Sequence, residues 1–243
     1  MTGTIINILT VLLGGMIGVM AGNRLPKRVQ ETVMAGLGLM TGVIGLSMAL
    51  TSANVLIPLF SVLTGGIIGE ILGIEGHLNR LGQWLEDRFG HRLGQGKVAG
   101  WSVTRGFVTA SLVFCIGPMT ILGSIQDGLL GDYDLLAIKS MLDGFAAIPF
   151  AATLGPGVLL SALSIGVIQG GIAGIAIVFG GSLGEVSQAT PWVIELTATG
   201  GVLIMGIALI LLELKQVRVA NLLPAIVIAP LIVIGLQALH IGF

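Results

Sequence analysis

The feature that most constrains this chain is a run of about 20 almost continuously apolar residues that recurs from one end of it to the other. Ile5 to Ala21 is the first, and comparable runs lie near 4–22, 32–51, 55–74, 104–126, 135–153, 156–180, 191–212 and 219–239. A helix needs about 20 apolar residues to cross the roughly 30 Å hydrocarbon core of a bilayer. A membrane barrel would instead alternate apolar and polar residues in strands of about ten. Only 9% of the 243 residues are charged and 54% are hydrophobic, against roughly 25% charged in an ordinary soluble domain. A soluble fold is thereby excluded. The pattern predicts an all-α, polytopic bundle of about eight transmembrane helices, formed as a single transmembrane domain over 1–243. No positive n-region or small-residue cleavage site flanks the first run, which is therefore expected to remain as a helix.

The formal net charge is −1, so no basic field points to nucleic acid. The single cysteine, Cys115, has no partner for an intramolecular disulfide, and no Cys/His cluster has zinc or iron–sulfur spacing. No cofactor is expected. The distribution of charge does carry information. If the loop with Arg24, Lys27 and Arg28 is cytoplasmic, eight spans also place Arg80, Arg88, Arg92, Lys97, Arg105, Lys215 and Arg218 inside, ten of the 11 cations. Asp127, Asp132 and Asp134 then fall outside. This predicts a topology with both termini facing away from the cytoplasm.

The sizeable polar loop at about 75–105 carries Leu78, Leu81, Trp84, Leu85, Phe89 and Leu93 at helical spacing, with Arg80, Glu86, Asp87, Arg88 and Arg92 between them. A cytoplasmic amphipathic segment over about 75–103 is expected. It would be either a membrane-surface brace or a docking site for a partner.

Two kinds of sequence similarity suggest an inverted repeat of three helices, spans 1–3 and 6–8, around two central ones. Gly14-Gly15-Met16-Ile17-Gly18 matches Gly170-Gly171-Ile172-Ala173-Gly174, and Ala53-Asn54-Val55-Leu56-Ile57-Pro58 resembles Ala220-Asn221-Leu222-Leu223-Pro224. Inverted repeats are typical of secondary transporters. The competing reading is close helix packing, since Gly65-Gly66-Ile67-Ile68-Gly69 has the same glycine pattern.

A charge in hydrocarbon costs at least about 2.5 to 3.5 kcal/mol on insertion scales, so the few polar residues within the spans are the candidates for function. Lys139 and Asp143 are four residues apart and share a helix face. Asp143 could be a cation or proton site with Lys139 as its internal counter-ion; alternatively the two form a static pair, or Lys139 snorkels outward. Proline and glycine at Gly117-Pro118 predict a kinked or broken fourth span, and Gly155-Pro156 leaves open two helices, one broken element or a re-entrant hairpin. Thr120, Gln126 and Asp127 add polar groups to the outer half of the fourth span, giving an expected polar cavity between the fourth and fifth. Gln169 either bridges helices or coordinates a substrate. Glu70 and Glu195 are expected at the interfaces. Asn7, Asn54 and Asn221 lie near span starts, where capping of free N–H groups is the simplest account; Asn54 and Asn221 are also kept as binding candidates.

The sequence resembles the YqgA-like proteins of bacterial membranes. The resemblance is carried by Gly3-Thr4-Ile5-Ile6-Asn7, by the run Gly106 to Met119 with its Phe114-Cys115-Ile116-Gly117-Pro118, by Ile121 to Gly128, by Lys139-Ser140-Met141-Leu142-Asp143-Gly144-Phe145 and by Val219-Ala220-Asn221-Leu222-Leu223-Pro224. It extends over nearly the whole chain. It implies an integral protein of the bacterial cytoplasmic membrane, loosely described as a sodium channel or pump, with no established substrate. The leading expectation is a secondary transporter or channel for a small ion, such as sodium, or a small solute. A non-transporting scaffold or sensor that binds a partner through the 75–105 loop is the alternative. No nucleophile–base set, metal motif or P-loop is present in the sequence, so an enzyme is not expected. The expected partners are the lipid bilayer and the small cation or solute, with a homo-oligomer left open.

Overall fold

The computed structural model describes residues 1–22, 24, 26–93, 101–179, 187 and 189–239, with the backbone alone for 89–93 and Pro118. Among these residues there are ten α-helices, a short 3-10 turn and no strand. Six stretches are long and apolar enough to cross a membrane, and eight spans result if each of two bent helix pairs counts as one. The chain is a multi-pass helical membrane protein. It divides into two compact units, Met1–Leu37 with Asn79–Glu185, and Gly38–Leu78 with Val186–Phe243.

The first unit is organised around α1 (Thr2–Gly22) and α7 (Asp134–Leu154). Gly3 packs on Leu136, Gly14 on the Gly144 carbonyl, Gly18 on that of Ile148 and Gly22 on that of Ala152. That order makes the two helices parallel. A side chain at Gly14, Gly18 or Gly22 would collide with α7 backbone, so these glycines are what permits the approach. Ile5, Leu9, Leu13 and Ile17 form an exposed apolar face on α1, as a lipid-facing helix requires. Gly155, at φ +90°, sits against the Trp101 ring and ends α7. The chain then enters α8 (Gly157–Phe179). The Gly155-Pro156 break thus separates two full-length helices. α8 runs antiparallel to α1, with Leu159 beside Gly15, Gly166 beside Ile8 and Gly174 beside Met1.

α5 (Val103–Cys115) starts at Ser102, whose side chain accepts the Arg105 N–H, and stops before Gly117; α6 (Pro118–Leu129) continues at a bend of 65°. The expected break is therefore present. Within the polar loop a helix, α4, covers Ile74–Leu93. Residues 94–100, the rest of the expected amphipathic segment, lie outside the described residues. Leu85 of α4 is buried while Leu81 and Trp84 are exposed. The Glu86 carboxylate accepts from the Thr104 N–H (3.1 Å) and hydroxyl, tying α4 to the start of α5.

In the second unit α2 (Lys27–Ala49) contributes its later half, where Gly38 lies beside Leu212, Gly42 beside Ala208 and Gly45 beside Met205 of the α9 region (Pro191–Leu211). α3 (Leu56–Leu72) is likewise antiparallel to the 3-10 turn Val219–Leu222 and α10 (Pro224–Ala238), with Gly65 against Ala225 and Gly69 against the Asn221 carbonyl. Ile57, Ala229 and Val233 pack together with Trp192, Ile232 and Leu236.

The glycine motifs that suggested a repeat do different work in the two places. Gly14, Gly15 and Gly18 are closely packed, whereas a side chain at Gly170 or Gly171 would meet nothing within 4 Å.

Candidate functional site

In the first unit, polar side chains of α1 and α7 meet a backbone carbonyl at the end of α5. On α7 the Lys139 ammonium pairs with Asp143 Oδ2 one turn away and donates to the Phe114 carbonyl at 2.8 Å. That carbonyl belongs to the last turn of α5, where the break at Gly117-Pro118 removes the continuing helical N–H groups. It also accepts from the Thr120 hydroxyl (3.2 Å) at the start of α6. The broken helix thus supplies an acceptor to a buried ammonium. Lys139 is only 7% exposed, so the snorkelling alternative does not hold: its head group faces inward because a fixed carbonyl and a carboxylate are both within reach.

Asn7 is a second correction. It sits well inside α1 rather than capping it, is fully buried, and donates Nδ2 to Asp143 Oδ2 at 3.0 Å. Asp143 Oδ2 therefore takes both donors, and its Oδ1 accepts from no group among the described residues. The spacing of Thr4, Asn7 and Val11, continued by Gly14 and Gly18, marks the buried face of α1; the sequence did signal the face, though not the partner 136 residues away. Phe114 was missed because a backbone acceptor leaves no mark in residue type.

The remaining candidates divide between the units. Asp127 is buried on α6, not in an outer loop; its carboxylate accepts the Gly3 N–H (3.0 Å) and the Met1 amino group (2.9 Å) at the start of α1. Gln126 is half-buried. Thr120, Ser124 and Gln169 are fully buried, and neither end of the Gln169 amide has a hydrogen-bond partner; the same is true of Thr4 Oγ1 and Asn7 Oδ1.

In the second unit Glu195 is completely buried, against the interfacial expectation. Its carboxylate accepts from Ser52 Oγ (2.7 Å), Ala53 N (2.8 Å) and Asn54 N (3.2 Å), which orders the turn into α3. Asn54 accepts the Leu56 N–H at 3.1 Å, a local capping role. Asn221 caps a different helix from the expected one: its Oδ1 accepts the Glu75 N–H (2.7 Å) in the first turn of α4, while Nδ2 donates to Glu70 (2.6 Å). Glu70 also pairs with Arg218 at a well exposed position. Those acids and amides do structural work.

With this geometry in view, comparison with known sequences gives the lineage. Residues 2–234 match the family described as "Protein of unknown function (DUF554)", and the chain belongs to it. It is 30% identical over 248 residues to the Bacillus subtilis "Uncharacterized membrane protein YdfK", with both chains fully covered. It is 31% identical over 228 residues to the Escherichia coli "Uncharacterized protein YqgA", covering 93% of this chain and 94% of that one. No solved structure matches.

Proposed function

We propose that this protein is a secondary transporter or channel for a small cation in the bacterial cytoplasmic membrane, with Asp143 as the ion site. The observation that carries this reading is the Lys139–Asp143 pair, its side chains only 9% and 12% exposed, set against the carbonyl end of a broken helix. An ion pair taken out of water is poor at stabilising a fold, because desolvation offsets its attraction. Intramembrane charges face the bundle interior and mark ion pathways far more often than chance. Here the carboxylate keeps Oδ1 unengaged for an incoming cation, which competes with the Lys139 ammonium on Oδ2 for the carboxylate charge. Broken helices offer carbonyls to cations in other transporters by the same logic.

The charge distribution supports an orientation with both termini outside. The inverted repeat is supported by antiparallel pairing within each unit: α1 beside α8 and α3 beside α10 are the pairs that the sequence similarity relates. A second reading, a surface scaffold or sensor, draws on Leu81 and Trp84, which α4 leaves exposed.

The test is ion flux into proteoliposomes under separate Na⁺, K⁺ and H⁺ gradients, with Asp143→Asn measured beside the native protein. Flux that disappears in the variant is the expected result. Absence of flux under every gradient, from protein shown to be folded, would reject the reading and turn attention to α4.

A further inference from the structure

One buried feature is left unused by the ion pair. Thr4 Oγ1, Asn7 Oδ1 and both ends of the Gln169 amide have no hydrogen-bond partner, although Asn7 and Gln169 are fully buried and Thr4 is 5% exposed. Leaving such a group unsatisfied forfeits its hydration with nothing in return, and native interiors pair nearly all of them. Four unpaired atoms on two helices that pack against each other point to a ligand.

The helix registers bring them together. In the antiparallel α1 and α8 pair, Gly166 lies beside Ile8 and Gly174 beside Met1. Gln169 therefore comes level with the turn from Thr4 to Asn7. Ala173, one turn beyond Gln169, packs on Gly128 of α6, one turn beyond Ser124. On α7 the same level holds Asp143, which Asn7 reaches through Nδ2. Because Nδ2 is committed to the carboxylate, Asn7 presents Oδ1 as a free acceptor.

We propose that Thr4 Oγ1, Asn7 Oδ1 and Gln169 Oε1 form a binding site for a largely dehydrated monovalent cation, adjoining the Lys139–Asp143 pair. The inference rests on the transport reading and names the groups that would select its ion. Three of the four unpaired atoms are oxygens able to face a cation, and the fourth, Gln169 Nε2, can donate to a water that the ion keeps. An anion fits poorly, since Lys139 is already bound to Asp143 and to the Phe114 carbonyl. A divalent ion fits poorly too. Ca²⁺ takes six to eight oxygens, carboxylates prominent among them, whereas here three neutral oxygens adjoin a carboxylate whose charge an incoming ion must share with Lys139. Among the described residues no three His, Cys, Asp or Glu side chains come together. A single charge solvated by neutral oxygens is what this chemistry matches.

Binding can be read without transport. The purified protein is titrated with NaCl, LiCl and KCl against choline chloride at constant ionic strength, and its thermal unfolding is followed. The native protein should show a saturable rise in Tm with at least one alkali ion. Thr4→Val, which is isosteric, and Gln169→Leu should weaken that ion by at least about tenfold, the loss of one buried ligand oxygen. If Gln169→Leu does not fold, Thr4→Val alone decides. Alkali ions that act no differently from choline on the native protein overturn the site, as does a titration that both variants leave unchanged. Binding that the variants weaken, in a protein without flux, supports the site and rejects transport. Flux that Asp143→Asn abolishes and Thr4→Val and Gln169→Leu leave untouched supports transport and overturns the site.

Discussion

Glu195 in the second unit and Asp143 in the first are carboxylates held largely out of solvent, in opposite ways. Glu195 has both oxygens occupied, by two backbone N–H groups and a hydroxyl from one turn of chain. Asp143 gathers both its donors, Lys139 and Asn7, on one oxygen. The first arrangement has no exchangeable partner and fixes a loop. The second is built from side chains on two helices and leaves capacity for another ligand. The comparison teaches that burial alone does not mark an ion site; the kind of donor does.

Substitution can break that contrast, starting with the ion pair. Asp143→Leu should lower unfolding stability by about 3–5 kcal/mol, because it strands the Lys139 charge in the interior. Adding Lys139→Met to the same chain should return stability to within about 1 kcal/mol of the native value, as paired apolar replacements commonly do, with flux still absent. Chemical or thermal unfolding of the two variants beside the flux assay checks this. Stability that stays low in the double variant would make the pair a fold requirement.

Glu195→Ala comes next, with an expected loss of roughly 2–4 kcal/mol from stranded donors. No second substitution at positions 53 or 54 should rescue it, since those donors are backbone N–H groups. Unfolding of Glu195→Ala with and without a change at Ala53 is the measurement, and recovery in the double variant would show that the loop is held by something else.

Much of the first site was legible in sequence because its grammar is local. Lys139 and Asp143 share a face by their spacing, and Gly117-Pro118 announces the break that exposes the Phe114 carbonyl. Asn7 and Glu195 were misread because their partners come from distant helices, and position near a span end suggests capping or an interface before it suggests burial. Glycine shows the limit most clearly. Gly14 and Gly170 open the same five-residue pattern, but only tertiary packing decides that one touches α7 backbone and the other faces open space.

That difference is itself testable within the first unit. Gly18→Ala should cost about 1–3 kcal/mol, the usual range for overpacking, since the new methyl meets the Ile148 carbonyl and Ala151. Gly170→Ala should be neutral or stabilising by up to about 1 kcal/mol, from helix propensity alone. Equal effects in unfolding measurements would mean that α1 and α7 do not approach closely enough for Gly18 to be required.

The smallest effect expected is at the second unit's exposed pair. Arg218 and Glu70 side chains are 69% and 54% exposed, so solvent screens their attraction and two long side chains must be ordered to form it. Arg218→Gln should shift stability by less than about 1 kcal/mol, and added salt should erase most of that difference. Asn221→Leu, by contrast, removes at once the acceptor for the Glu75 N–H and a donor to Glu70. Its cost should be larger than that of Arg218→Gln and nearly independent of salt. Unfolding of both variants at low and high ionic strength separates a screened surface pair from a desolvated amide. A large, salt-sensitive loss in Arg218→Gln would place the strength of this junction in charge, and would bring Glu70 closer in character to Asp143 than to Glu195.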